Sequence, residues 1–94
     1  MTSKERSKLK SIAMKEEPIL SVGKQGVTPE LCISCEEALA KRELIKLSVL
    51  KNCEEDPQTV ARMLSERTRS ELVQVIGRKI VLYKQNKEKP VIIL

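Results

Sequence analysis

The chain has 94 residues, of which 40% are hydrophobic and only one, Tyr83, is aromatic, so it can build a single aliphatic core but no platform of stacked rings. It carries 18 Lys and Arg against 13 Asp and Glu, a formal charge of +5, and it has no His, the commonest acid–base residue of enzymes. No apolar run reaches the roughly 18 residues of a membrane span, and three cysteines fit a reducing compartment better than a disulfide framework.

The charge is unevenly spread. Residues 1–26 hold six basic and three acidic side chains, residues 76–94 five and one, and residues 27–75 seven and nine. If the fold brings the two ends of the sequence together, they form one cationic face suited to a polyanion. Met1–Arg6 lacks an apolar signal core, so the protein is expected in the cytoplasm.

Thr2 and Glu5 have capping-box spacing and open a first helix. Its apolar face is Leu9, Ile12 and Ala13, and Lys4, Lys8, Ser11 and Lys15 lie opposite. Pro18 ends helical geometry before it and starts a short strand, Pro18 to Val22. Gly23-Lys24-Gln25-Gly26 follows as a tight loop. Thr28-Pro29-Glu30 then reads as N-cap, first helical residue and dipole-compatible acid, opening a second helix that buries Leu31, Cys35, Ala38 and Leu39.

Leu44 to Leu50 alternates, with Ile45, Leu47 and Val49 facing one way and Lys46 and Ser48 the other, as in a half-buried strand. Asp56-Pro57 starts a third helix with Val60, Ala61 and Leu64 inward. Leu72–Ile76 and Lys79–Tyr83 form a hairpin about Gly77-Arg78, a pair suited to a type II′ turn. That turn predicts Val75 opposite Ile80 and Val73 opposite Leu82 on one apolar face, with Leu72 opposite Tyr83 on the other. The order is αβαβαββ: an α/β domain spanning residues 1–94, with three helices on a mixed four-stranded sheet. Residues 85–94 read as a tail, solvated at first; Val91-Ile92-Ile93-Leu94 can add an edge strand or dock on the core.

The Gly23–Gly26 loop has the makings of an anion site. Its glycines let a backbone turn sharply and let a ligand approach without a Cβ in the way, the following helix start favours negative charge, and Lys24 sits at the tip. It is neither a phosphate-binding GxxxxGK[ST] loop nor a GxGxxG dinucleotide fingerprint. Arg78 and Lys79 at the hairpin tip, and Lys84 after Tyr83, are further cations. Tyr83 is read as core packing with its hydroxyl in water. Cys32-x-x-Cys35 has redox spacing at a helix start, but a zinc site needs about four ligands, the chain has no His and Cys53 is its only other thiol, and Cys35 lies on the buried face, so the thiols are read as structural. No catalytic group, metal site or cofactor is expected, and the acidic pairs Glu16-Glu17 and Glu36-Glu37 read as solvated surface.

Thr2-Ser3-Lys4 with Leu9-Lys10, the segment Pro18 to Gly26, Glu43-Leu44-Ile45-Lys46, and Leu72 to Tyr83 together resemble the CRM domain (chloroplast RNA splicing and ribosome maturation), in its stand-alone bacterial YhbY-like form. The resemblance covers residues 2 to about 89. It implies a fold similar to the C-terminal domain of translation initiation factor three. It also implies an RNA-binding protein that associates with precursors of the large ribosomal subunit. Its partner would be ribosomal RNA, with no membrane or small-molecule substrate, and it would act as a monomer. The family's GxxG loop corresponds to Gly23, Lys24, Gln25 and Gly26. Family members often carry His where this chain has Met14, and a basic or neutral residue near Glu17; Glu16-Glu17 limits the positive face upstream of the loop. The basic stripe Lys4, Lys8 and Lys15, with Arg78, Lys79 and Lys84, completes the expected RNA-facing set. A thiol redox role for Cys32 and Cys35 and an adaptor role for Val91–Leu94 are the alternatives.

Overall fold

In a computed structural model that describes residues 1–94, the chain runs α1 (Ser3–Ala13), β1 (Leu20–Val22), α2 (Pro29–Arg42), β2 (Leu44–Val49), α3 (Pro57–Thr68), β3 (Glu71–Ile76) and β4 (Lys79–Tyr83). The order is the expected αβαβαββ. No helix is long and apolar enough to cross a membrane.

Each helix begins at its predicted cap. Thr2 Oγ1 accepts from the Glu5 amide at 3.1 Å, and Glu5 Oε1 accepts from the Thr2 amide at 2.9 Å, a closed capping box. Thr28 Oγ1 accepts from Leu31 N, and Asp56 Oδ1 accepts from Thr59 N at 2.7 Å, each ahead of a proline in the first turn. Lys15 lies just past the last residue of α1, so the stripe of Lys4 and Lys8 does not continue through it as helix. β1 is shorter than Pro18–Val22: Pro18 has no N–H to give, and pairing starts at Ile19, whose amide donates to Lys46 O at 2.9 Å.

The sheet order is β1-β2-β4-β3, with β1 parallel to β2 and both other pairings antiparallel. Helical crossovers would allow β3 to lie beside β2, but β4 inserts between them. Ile80, Val81, Leu82 and Tyr83 are all buried, so β4 needs cover on both faces and takes a central place. β3, with exposed Glu71 and Ile76, takes the edge.

The hairpin turn has positive φ at Gly77 (55°) and not at Arg78, the pattern of a type II′ turn. Val75 faces Ile80, Ile76 faces Lys79 and Gln74 faces Val81, as expected. Beyond that the register departs from the sequence reading: Leu72 faces Leu82 and Glu71 faces Tyr83, because Val73 forms a bulge. The extra residue turns Val73 toward α1 and Leu72 toward α2 and α3. Arg6 on α1 stabilises the bulge; its Nη1 donates to Leu72 O at 2.7 Å and Val73 O at 2.9 Å.

Two apolar layers result. Thirteen buried residues, among them Cys35, Leu39, Leu47, Leu64 and Leu82, join one sheet face to α2 and α3. Six, Leu9, Ala13, Leu44, Val73, Val81 and Tyr83, join part of the other face to α1. The Tyr83 hydroxyl is not in water as expected; it is enclosed and has no hydrogen-bond partner. Burial, then the charges of Glu43 and Glu5, push its pKa up.

Residues 85–94 dock on the core and add no strand. Ile92 packs against the α1 layer, and the anchor is Glu43, a fully buried carboxylate at the end of α2. Glu43 Oε1 accepts from the Val91 and Ile92 amides, and Oε2 from the Asn86 amide, each at 2.6 Å. Desolvation pushes this carboxyl pKa up, but the three amides outweigh it, and the net direction is down. Glu43 has φ 65° and ψ −41°, a strained backbone for a residue with a Cβ, so the fold holds this carboxylate in place at some cost.

Candidate nucleic-acid interface

Three connections meet at the end of the sheet where β1 and β2 finish: the Gly23–Gly26 turn, the loop of residues 50–56 and the Gly77-Arg78 turn. Backbone bonds tie them together. Leu50 N donates to Val22 O at 2.9 Å, and Val49 N donates to Arg78 O at 2.7 Å.

The Gly23–Gly26 segment is a closed turn in which Gly26 N donates to Gly23 O at 2.9 Å. Lys24 and Gln25 at its tip are exposed. The two glycines differ. Gly26 has φ 68°, a conformation a side chain resists. Gly23 has no such requirement, and a Cβ there would sit 3.8 Å from Asn52 Oδ1 and Leu50 Cδ1, ordinary contact. The fold therefore requires glycine at Gly26 and does not require it at Gly23. The N-terminus of α2 lies two residues beyond the turn, which places the positive end of its dipole behind it. On the α3 side, Glu55 Oε1 comes within 3.8 Å of a Cβ position at Gly26 and makes a negative wall beside the turn.

The expected site residues do not form one patch. Lys24, Gln25, Arg78 and Lys79 share the rim just described. Arg78 is largely committed there: its Nε donates to Val49 O and its Nη2 to Leu50 O, both at 2.7 Å, so it holds the end of β2 in place. Lys79 Nζ donates to Ser48 Oγ at 2.7 Å and remains half-buried on the sheet. Lys84 lies at the opposite end of β4, where its Nζ donates to Thr68 O at 3.0 Å beside the end of α3. Lys8 Nζ donates to Ile93 O, so it holds the docked tail. Lys4 and Lys15 are exposed. The two ends of the sequence do meet, through Lys8 and Ile92, but much of the charge gathered there is spent on backbone carbonyls.

Glu16 lines a cleft with Ile12, Lys41, Arg42, Leu44, Val91 and Ile92, on the flank of α1 that faces the tail. The thiols are core. Cys35 is fully buried, and desolvation, then the neighbouring Cys32 and Glu36, push its pKa up to about 12, the reverse of what a redox nucleophile needs. The sequence reading assigned no structural role to two residues, Glu43 and Arg6. Each satisfies backbone groups far away in sequence, which local pattern does not reveal.

A search against family models matches residues 1–84 to the CRS1 / YhbY (CRM) domain, a span that takes in α1, the turn and the whole sheet. The chain belongs to the CRM domain family. Among curated proteins, this CRM domain is 51% identical over 88 residues to "Probable RNA-binding protein YqeI" of Bacillus subtilis strain 168, covering 94% of this chain and 92% of that one. It is 31% identical over 86 residues to "Probable RNA-binding protein PA4753" of Pseudomonas aeruginosa, covering 92% and 83%. Among solved structures, the hypothetical protein SAV1595 of Staphylococcus aureus superposes with a TM-score of 0.83 at 44% identity, over 100% of this chain and 98% of that one.

Proposed function

We propose that this CRM domain is a cytoplasmic RNA-binding protein, acting as a monomer, that associates with ribosomal RNA in precursors of the large ribosomal subunit and assists their assembly. The observation that carries the reading is the Gly23–Gly26 turn: Lys24 and Gln25 project from a hydrogen-bonded turn ahead of a capped helix, in a chain whose relatives bear RNA-binding names. The backbone is gripped by the turn and by Lys79; Arg78 orders the rim and adds charge; Lys4 and Lys15 extend the field along α1. Lys8 and Lys84, already bonded to carbonyls, contribute field more than contact. With one aromatic residue, and that one buried, the domain holds phosphate and shape and reads little base identity.

The test is binding of the full chain to structured ribosomal RNA, with Lys24 and Gln25 both replaced by Asp. Affinity should fall about tenfold or more, through lost and reversed phosphate contacts, with the melting temperature unchanged. Affinity equal to that of the unaltered protein removes the turn from the interface. In a size-fractionated lysate the protein should travel with large-subunit precursors; if it travels only as free protein, the ribosomal assignment is wrong.

A further inference from the structure

The side of the sheet that α1 packs on is only half covered. α1 lies over Leu44, Val73, Val81 and Tyr83, and it makes its contacts with β2, β3 and β4. The half nearer the rim is open. There the registers align Ser21, Ser48, Lys79 and Ile76 in one row across all four strands; in the next row half-buried Lys46 and Gln74 flank Val81, which α1 covers.

The chemistry of this strip is of one kind. Its charged side chains are Lys46 and Lys79. The one carboxylate that the strands place on this side is Glu71, opposite Tyr83 at the far end. Both lysines are half-buried and held flat. Lys79 Nζ bonds Ser48 Oγ, and Lys46 Nζ donates to Ala13 O at 3.3 Å at the end of α1. Lys46 and Lys79 are diagonal neighbours, roughly 7 Å apart along the sheet. Ser48 Oγ, which accepts from Lys79, keeps its own proton to donate. Ile76 is 58% exposed and supplies an apolar shelf at the edge. Ser21 lies two residues before Gly23, so the row continues directly from the turn. Lys10, four residues beyond Arg6, lies on the same flank of α1.

We propose that this strip is a second RNA contact and that it takes a single strand. The strand leaves the Gly23–Gly26 turn and crosses the sheet. Its phosphates lie on Lys79, Ser48 and Lys46, and a sugar or base face lies on Ile76. The open row and the half-buried Lys46 behind it span roughly 7 Å along the strands, with α1 as a wall over Val81, which suits one backbone and leaves no bed for a duplex. The inference rests on the RNA reading above and shares Lys79 with it, but extends to Lys46, Ser48, Ser21 and Ile76 and commits to a different form of RNA.

Fluorescence anisotropy on the full chain tests it with two labelled probes, oligouridylate of about 12 nucleotides and an RNA hairpin with a duplex stem of similar length. Replacing Lys46, which has no part in the turn interface, by Gln should weaken oligouridylate binding about fivefold, through loss of a charged contact, and change hairpin binding about twofold or less. An amide NMR spectrum that keeps its dispersion shows that the variant is folded; Ser21→Glu, at an exposed position, gives the same loss by repulsion. Unchanged oligouridylate affinity in both variants overturns the strip, as does an unaltered protein that binds the hairpin and ignores oligouridylate. If Lys24→Asp with Gln25→Asp loses both probes while the strip variants lose neither, the turn stands and the strip falls. If the turn variant keeps both probes and the strip variants lose oligouridylate, the strip stands and the turn falls.

Discussion

The two ends of the sheet leave different groups free. At the rim of the Gly23–Gly26 turn, Arg78 holds Val49 O and Leu50 O, but Lys24 and Gln25 stand free on a turn that closes with its own backbone bond. At the other end Glu43 is buried against three amides, Lys84 is bonded to Thr68 O, and Lys8, on the flank of α1 that faces the tail, is bonded to Ile93 O. The sequence is basic near both termini, but Lys8, Lys84 and Arg78 are taken up by backbone carbonyls, whereas Lys24 sits on a turn closed by its own backbone. Where a helix ends or a tail must be docked, side-chain charge goes into closing the fold.

The largest effect should come from breaking the closed end. Glu43→Ala leaves three tail amides without their acceptor and should destabilise the protein by about 2–3 kcal/mol in urea unfolding, with faster hydrogen exchange at Val91 and Ile92. The pH dependence follows from the same group. Its carboxyl pKa is below the ordinary 4.5, so its contribution is complete above that value and fades as the pH falls through the lower, folded one. Glu43→Gln should therefore flatten the acid limb of the stability curve; a variant with an unchanged acid limb contradicts the clasp.

Arg78→Ala should cost about 1.5–3 kcal/mol, because the guanidinium holds two carbonyls at the end of β2. Arg78→Lys should not restore it, since a single ammonium cannot reproduce that fork. Equal stability of all three proteins by chemical denaturation makes Arg78 an ordinary surface cation.

The two glycines of the turn separate fold from function. Gly26→Ala should cost about 1 kcal/mol for its left-handed backbone, whereas Gly23→Ala should cost less than about 0.5 kcal/mol. If RNA approaches the backbone closely, Gly23→Ala nevertheless weakens binding, and thermal melts and RNA titrations of the same variant will diverge. At the closed end, Tyr83→Phe removes a buried hydroxyl with no partner; the change should be neutral or stabilising by up to about 1 kcal/mol, and a clear loss in melting temperature shows that the hydroxyl does have a partner.

Much of this architecture was legible from local chemistry. The three caps, the alternation of β2 and the type II′ turn depend on neighbours within a few residues, so Thr2, Thr28, Asp56 and Gly77 announce them. The place of the turn between β1 and α2 was equally readable. What could not be read depends on distant partners. The bulge at Val73 exists because Arg6, 66 and 67 residues away from the two carbonyls, satisfies it. Glu43 sits in a segment that reads as an ordinary helix-to-strand junction, and its amide partners lie 43 to 49 residues on. The same blindness applies to the basic residues: Lys4, Lys8 and Lys15 look equivalent on a helical wheel, and only the docked tail distinguishes Lys8 from the others.

The central claim is that RNA engages the open end of the sheet and leaves the closed end untouched. The most direct measurement is amide NMR of the full chain titrated with structured ribosomal RNA. The account predicts shifts at Gly23, Lys24, Gln25, Gly26 and Lys79, with the amides of Asn86, Val91 and Ile92 unmoved on Glu43. Shifts confined to residues 84–94 and the Lys8 flank of α1, with the turn unperturbed, would contradict it.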